Sequence, residues 1–185
     1  MNRSSASPTA TRPPWHYTRP AMVLHWLLAI LIAGQIVLGL YMMSIEDAPG
    51  SERYFHLHMD NGLIIGVLVL LRLAWRLGHK PAPLPASVAH WEVNAAYIAQ
   101  WLIYACLLVM PVTGYLGASF SKEGVAFFGV SLSGWAAPNK DLSEQFFSIH
   151  FLTVTLLTAL IVLHVLGALK HLLIDKDNVF QRMWF

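Results

Sequence analysis

The chain has 185 residues, of which 56% are hydrophobic and only 12% are charged, and its mean hydropathy is +0.54. Soluble domains carry about 25% charged residues, so these values exclude a disordered chain and indicate a small membrane protein of one domain. The net charge of +2 comes without a basic cluster, which argues against nucleic-acid binding, and the single cysteine, Cys106, excludes an internal disulfide.

A polar leader precedes the first apolar stretch. Residues 1–20 are rich in Ser, Thr, Pro and Arg and contain no apolar run. A cleavable signal needs an apolar centre and a small-residue cleavage site. We therefore predict a flexible, basic leader on the cytoplasmic side of a membrane.

Four apolar stretches follow the leader. Each is long enough to cross a hydrocarbon layer of about 30 Å as an α-helix. Pro111 and Gly114 are expected to kink the third. The stretches cover about residues 22–43, 57–77, 95–116 and 149–169. The fold prediction is all-α: an integral membrane four-helix bundle over residues 21–175, followed by a tail, 176–185.

The distribution of Lys and Arg predicts the orientation of the bundle. The leader, the second loop and the tail carry most of these residues, whereas the first and third loops carry few and also contain several acids. Loops rich in Lys and Arg stay on the cytoplasmic side of a membrane. Both termini should therefore be cytoplasmic, with the first and third loops outside.

Four histidines lie at matching depths in the apolar stretches. His150 and His164 are 14 residues apart, so they share a helix face and lie about 21 Å apart along the axis. His25, near the cytoplasmic start of helix one, is level with His164. His58, at the outer start of helix two, is level with His150. The sequence thus predicts an inner pair, His25 with His164, and an outer pair, His58 with His150.

Two opposed imidazoles suit the axial positions of a haem iron. The sequence has no CxxCH segment, so a haem would be non-covalent and b-type. Zinc is disfavoured, because a zinc site needs three or four ligands at one point. The remaining alternative is a bundle without haem, in which the histidines serve packing or metal transport.

The other histidines have weaker functional indications. His56 is an alternative outer ligand, since it lies two residues before His58. His171 lies on the same face as His164, two turns further out, which favours an interfacial position or a ligand pocket. The histidines of the leader and loops are expected to be solvated: His16, His79 and His90.

Arg72 lies 14 residues beyond His58, so it should reach the depth of the inner pair. A guanidinium there would bind a haem propionate. In the alternative interpretation, Arg72 extends to the cytoplasmic headgroups together with Arg76.

Several short motifs occur in order along the chain. They are His25-Trp26, His58-Met-Asp-Asn-Gly62, Leu71-Arg72-Leu-Ala-Trp-Arg76, Pro111-Val-Thr-Gly114, His150, His164, Lys176-Asp-Asn178 and Arg182-Met183. On these motifs, residues 16–185 resemble the bacterial cytochrome b561 family of four-helix, di-haem proteins of the inner membrane. The resemblance implies two non-covalent b haems (iron protoporphyrin IX) whose axial ligands are His25, His58, His150 and His164.

The resemblance also implies electron exchange with the quinone pool. The chain is similar to the superoxide-oxidising branch, which passes an electron from superoxide at the outer face through both haems to ubiquinone. It would then be an oxidoreductase of this kind. Lys122, in the outer loop, would attract superoxide. His171 or Asp175 would supply protons to a quinone on the cytoplasmic side.

A second function fits the same pattern. The bundle would be an electron carrier or anchor subunit that passes electrons between quinone and a partner redox protein. This function predicts a docking surface and co-purification with the partner. A stand-alone oxidase needs only the lipid bilayer, superoxide and ubiquinone.

Overall fold

The computed structural model of the protein describes residues 15–184. In these residues, four long helices run α1 (Arg19–Ser44), α2 (Glu52–Gly78), α3 (His90–Ser119) and α4 (Lys140–Lys170). A π-helical turn, His171–Asp175, extends α4, and a 3-10 helix, Phe180–Met183, follows it. Each long helix is apolar enough to cross a membrane. The predicted all-α membrane bundle is therefore confirmed.

The helices extend beyond the predicted apolar stretches. α3 begins at His90 rather than near residue 95, and α4 begins at Lys140 rather than near residue 149. The added turns are polar, so hydropathy did not mark them. The Asn139 side chain caps α4 by accepting a hydrogen bond from the Leu142 N–H at 3.1 Å. His90 is therefore an exposed residue of a helix and does not lie in a loop as predicted. Residues 1–14 of the predicted leader lie outside the described residues.

The core lies where the four helices face one another. The contacts between helices bury apolar side chains from all four, and Val69 and Leu157 are almost fully enclosed. The outward faces are also rich in Leu, Ile and Val. A helix that is apolar all round suits lipid on one side and protein on the other. α3 continues through Pro111 and Gly114 to Ser119.

A short hairpin lies within the loop between α3 and α4. Its strands are β1 (Ala126–Phe127) and β2 (Val130–Ser131). Phe128 and Gly129 form the turn with φ of +46° and +84°, as in the two-residue turns of type I′. The Phe128 N–H donates to Asp60 Oδ1 at 3.0 Å. This bond ties the hairpin to the third turn of α2.

The end of the bundle where the described residues begin and end, here called the termini end, is closed by a clasp between residues 15–18 and the 3-10 helix. The Trp26 indole donates to the carbonyl oxygen of Met183 at 2.9 Å. Arg182 is only 4% exposed and donates to the carbonyl oxygens of Trp15 and Ala82. Its guanidinium also lies over the rings of Trp15 and Tyr17. Burial lowers the pKa of Arg182.

Candidate functional site

The inner pair lies near the termini end. His25 projects from the second turn of α1 and His164 from the last two turns of α4. Their ring centroids are 6.2 Å apart with an interplanar angle of 71°. Both side chains are half-buried between the helices.

The outer pair lies toward the opposite end of the bundle. His58 belongs to the second turn of α2, and His150 lies eleven residues into α4. Their ring centroids are 6.3 Å apart with an interplanar angle of 69°. Since His150 and His164 share α4, the two pairs are separated by about 21 Å along that helix.

The separation of the two rings in each pair corresponds to that of two imidazoles that bind one metal ion. A metal that bonds one nitrogen of each opposed ring at about 2.0–2.1 Å leaves the ring centroids about 6 Å apart. Both pairs have this separation. The buried His58 Nδ1 has no hydrogen-bond partner among the described residues. The donor set and its spacing therefore fit an iron with two axial imidazoles at each position.

Backbone and hydroxyl oxygens orient His150. Its Nδ1 lies 3.0 Å from the Met110 carbonyl oxygen and 3.3 Å from Thr113 Oγ1. The Thr113 hydroxyl donates to the Val109 carbonyl oxygen at 2.9 Å. Because a carbonyl only accepts, Nδ1 of His150 carries the proton, which leaves Nε2 free to bind a metal.

A polar pair supports the turn of α2 that bears His58. The Gln35 amide of α1 donates to the His58 carbonyl oxygen at 2.8 Å. The Asn61 amide in turn donates to Gln35 Oε1 at 2.7 Å. Neither residue had a role predicted from the sequence. Gln35 could have been recognised as a buried polar contact, because its amide side chain lies in the middle of the apolar first stretch.

Arg72 lies beside the inner pair. One guanidinium nitrogen donates to the Ala21 carbonyl oxygen at 2.7 Å, and the other lies 3.2 Å from His25 Nδ1. Arg76 takes a different direction and donates to Gln100 Oε1 at 2.8 Å. The two arginines therefore do not extend together, and Arg72 stays at the depth of the histidine rings.

A polar cluster surrounds His171 at the end of α4. His171 Nδ1 lies 2.7 Å from Asp177 Oδ2 and 3.3 Å from Asp175 Oδ2. Lys170 Nζ lies 2.7 Å from Glu92 and 2.5 Å from Asp175. A cavity of about 280 Å³ opens beside the cluster, between the start of α3 and the end of α4. The sequence indicated roles for His171 and Asp175, but Asp177 was noted only within a motif and Glu92 was not noted, because only the fold brings them to this place.

The remaining predicted residues lie apart from the two pairs. His56 is exposed, so the structure brings His58 and not His56 against His150. His79 is exposed and stacks on Trp75 at 4.0 Å, as a solvated residue at a helix end can. His16 contacts the Gln181 carbonyl oxygen at 3.2 Å. Lys122 is exposed in the loop that follows α3.

The family model and two relatives that match this chain all carry the name cytochrome b561. Residues 16–185 match the family model for prokaryotic cytochrome b561. Cytochrome b561 homolog 2 of Escherichia coli K12 is 28% identical over 179 residues, which cover 94% of this chain and 93% of the relative. Homolog 1 of the same organism is 24% identical over 170 residues, covering 90% and 96%.

A third relative carries a functional name. The probable superoxide oxidase CybB of Yersinia pestis is 26% identical over 165 residues, which cover 86% of this chain and 90% of the relative. The family match extends over nearly the whole chain, and the four membrane-crossing helices agree with it. The chain therefore belongs to the prokaryotic cytochrome b561 family, whose members are membrane proteins of electron transfer that bind b-type haem.

Proposed function

We propose that the protein is a transmembrane di-haem cytochrome that transfers electrons from superoxide at the outer face to the ubiquinone pool. The observation that supports it best is the presence of two facing imidazole pairs, one toward each end of the bundle. His25 and His164 hold one haem and His58 and His150 the other. Each bound haem supplies one-electron chemistry.

The chain between the two pairs keeps water away from the electron path. Leu157 lies midway along α4 between His150 and His164 and is 2% exposed. Val69 of α2 is fully enclosed in the same cluster of apolar side chains. Both side chains are aliphatic, so neither takes up the electron or a proton on the way.

The outer end receives the electron. Oxidation of superoxide to O₂ releases one electron and requires no proton. Exposed Lys122 attracts the anion, because a local positive field raises encounter rates. The relative named as a probable superoxide oxidase supports this substrate. In the proposed orientation this end faces outward from the bacterial inner membrane, and both termini are cytoplasmic.

The termini end delivers electrons and protons to ubiquinone. Two superoxide ions supply two electrons, and ubiquinone takes up these electrons and two protons to form ubiquinol. The carboxylates of Asp175 and Asp177 lie next to Nδ1 of His171 and hold its ring in place. We assign His171 as the residue that passes protons to the reduced quinone. Arg72 binds a propionate of the inner haem.

An exposed apolar surface favours a second candidate function. Phe128 and Val130 of the hairpin are 71% and 65% exposed, and Trp135 of the same loop is 57% exposed. A soluble redox partner could dock on this outer surface. The protein would then be an electron carrier or anchor subunit between that partner and quinone.

The pairing of the ligands is tested by four single substitutions. His25→Ala and His164→Ala should each remove the same component of the α-band spectrum and about half of the haem, because a six-coordinate haem needs both axial rings. His58→Ala and His150→Ala should each remove the other component. His56→Ala is the control and should retain both. If His25→Ala and His58→Ala remove the same component, the pairing is wrong.

The substrate is tested with the oxidised protein in detergent. A pulse of superoxide in the presence of short-chain ubiquinone should reduce the haems within the lifetime of the pulse and then form quinol. Superoxide dismutase should abolish both signals. Lys122→Gln should slow haem reduction several-fold at low salt, whereas His171→Gln should leave haem reduction unchanged and slow quinol formation. Haems that ignore superoxide but are reduced by added quinol would support the carrier function instead.

A further inference from the structure

Two cavities open at the termini end, and they differ in charge. The first is the cavity beside the His171 cluster, which is lined by carboxylates that bond Lys170 and His171. The second, here called the basic cavity, lies between the end of α2, Tyr104 of α3 and the clasp. None of the described residues that line it is an Asp or a Glu. Its basic side chains are those of His16, Arg72, Arg76, His79 and Lys80.

Two of these cations have no acidic partner. The Arg76 guanidinium donates to the neutral amide of Gln100, at 2.8 Å from Oε1. Lys80 is exposed just beyond the end of α2. Within residues 15–184, no carboxylate forms an ion pair with either of them. Arg72 is directed toward His25 and the proposed haem propionate instead. The basic cavity therefore holds positive charge of Arg76 and Lys80 that no acidic side chain neutralises.

The size and walls of the basic cavity suit a phosphate group. Its volume is about 70 Å³. One water needs about 10–15 Å³ of such space, so the cavity has room for about five waters or for one tetrahedral phosphate. The rings of Tyr17, Trp75 and Tyr104 form part of its wall. The Trp75 indole is held in place because it donates to Thr18 Oγ1 at 2.8 Å.

An exposed apolar stripe leads away from the basic cavity along α2. Leu71 lies one helical turn from Trp75 on the same face, and Val67 lies one turn further. Their side chains are 55% and 59% exposed. Because α2 is one of the membrane-crossing helices, this stripe lies against the hydrocarbon chains of the bilayer. A ligand whose phosphate enters the cavity can therefore continue as an acyl chain along the stripe.

We propose that the basic cavity binds the phosphate group of an anionic phospholipid, with Arg76 and Lys80 as its cations and an acyl chain on Leu71 and Val67. Basic pockets between membrane helices bind anionic headgroups in this way. A zwitterionic lipid carries its own cation beside the phosphate, so it gains less from the two side chains. Free phosphate has no acyl chain to contact the stripe. The binding does not depend on the substrate of the haems.

The first test measures lipid binding to the haem-containing protein by native mass spectrometry from detergent. The probes are dioleoylphosphatidylglycerol, dioleoylphosphatidylcholine and inorganic phosphate, each titrated separately. One phosphatidylglycerol should bind at least about tenfold more tightly than phosphatidylcholine, because two cations neutralise it, and inorganic phosphate should not be retained. Equal binding of the two lipids would overturn the proposal. Retention of inorganic phosphate with the same affinity as the lipid would also overturn it, because the stripe would then contribute nothing.

The second test removes the cations one at a time. Lys80→Gln should weaken phosphatidylglycerol binding several-fold, and adding Arg76→Gln should reduce it to the level of phosphatidylcholine. Arg76→Lys keeps the charge and should retain most of the affinity. Because Lys80 is exposed, Lys80→Gln tests the cavity even if Arg76→Gln fails to fold.

Lys176→Gln is the matched control for Lys80→Gln. Lys176 is an exposed lysine at the same end of the bundle, but it does not line the basic cavity. This variant should bind phosphatidylglycerol as the unchanged protein does. Equal weakening by Lys80→Gln and Lys176→Gln would mean that the whole surface attracts the lipid, and would overturn the proposal of a site in the cavity.

The α-band spectrum separates this site from the haem site. Lys80→Gln should leave both haem components and the haem-to-protein ratio unchanged while it weakens lipid binding. A change in the inner component with unchanged lipid binding would assign the cavity to the haem and overturn the proposal. A haem-to-protein ratio below two in the unchanged protein would contradict only the di-haem function.

Discussion

Two glycines lie against the rings of the outer pair. A Cβ atom at Gly39 would lie 3.2 Å from His58 Cε1, and one at Gly114 would lie 3.1 Å from His150 Cε1. Contacts this short force the neighbouring atom to move by a few tenths of an ångström. A histidine held by the Met110 carbonyl oxygen has little freedom to do so. The small residues therefore fix how closely the helices approach the rings.

We expect Gly114→Ala to disturb the outer pair. Alanine favours a helix over glycine by about 0.5–1 kcal/mol, but crowding a packed side chain costs about 1–3 kcal/mol. The substitution should therefore destabilise the outer haem and shift only its α-band component. Spectra before and after heating, recorded with the haem-to-protein ratio, measure the effect.

Gly34→Ala provides the matched control. A Cβ atom there meets nothing within 4 Å, so only the gain in helix propensity applies. This variant should retain both haems and be equally or more stable than the unchanged protein. Equal behaviour of the two alanine variants would mean that close packing at Gly114 is unimportant for the outer pair.

The helices show which features the sequence pattern could predict. The spacing between His150 and His164 depends only on helical rise and rotation, so both the shared face and the depth follow from counting residues. The polar first turns of α3 and α4 were missed because hydropathy marks only the lipid-facing length. The turn at Phe128 was also missed, because a phenylalanine with positive φ is uncommon and the usual Asn-Gly or Asp-Gly signal is absent.

The contacts around the histidines were less predictable than the histidines themselves. Counting residues gave the depth of Arg72, but not its contact with His25. The Gln35–Asn61 and His171–Asp177 hydrogen bonds join side chains whose meeting depends on helix rotation and on a π-helical turn. In a chain this apolar, the sequence shows no periodic pattern from which the rotation of each helix about its axis, or a local change to a π-helix, could be predicted.

The clasp at the termini end depends on Arg182. Replacing Arg182 with Ala leaves the carbonyl oxygens of Trp15 and Ala82 without a donor and empties a buried position. A hydrogen bond to a charged group contributes about 1.5–3 kcal/mol. We expect Arg182→Ala to lower the melting temperature and to accelerate proteolysis of the C-terminal segment.

Arg19→Ala is the control for the clasp. Arg19 is exposed at the start of α1, and surface substitutions of this kind change stability by about 0.5 kcal/mol or less. Arg182→Lys should give an intermediate result, since lysine keeps the charge but has no planar fork of donors. Unchanged proteolysis of Arg182→Ala would show that the clasp is held by its other contacts.

The two ends of the bundle have different chemical characters. The termini end gathers the guanidinium groups of Arg72, Arg76 and Arg182, and the clasp covers it. The opposite end carries Asp60 and an open hairpin with exposed aromatic side chains. Because the two ends differ, the same four helices present an open aromatic surface at one end and a covered basic surface at the other.

The place of α4 in the chain constrains how the protein is made. This last long helix contributes one ring to each pair, so neither pair of imidazoles exists while the ribosome is still synthesising α1 to α3. With the proposed ligand pairs, a cofactor held by both rings of a pair can be bound in this way only after α4 has entered the membrane. Until then α1 to α3 have been made without the helix that packs against α3 and completes the bundle.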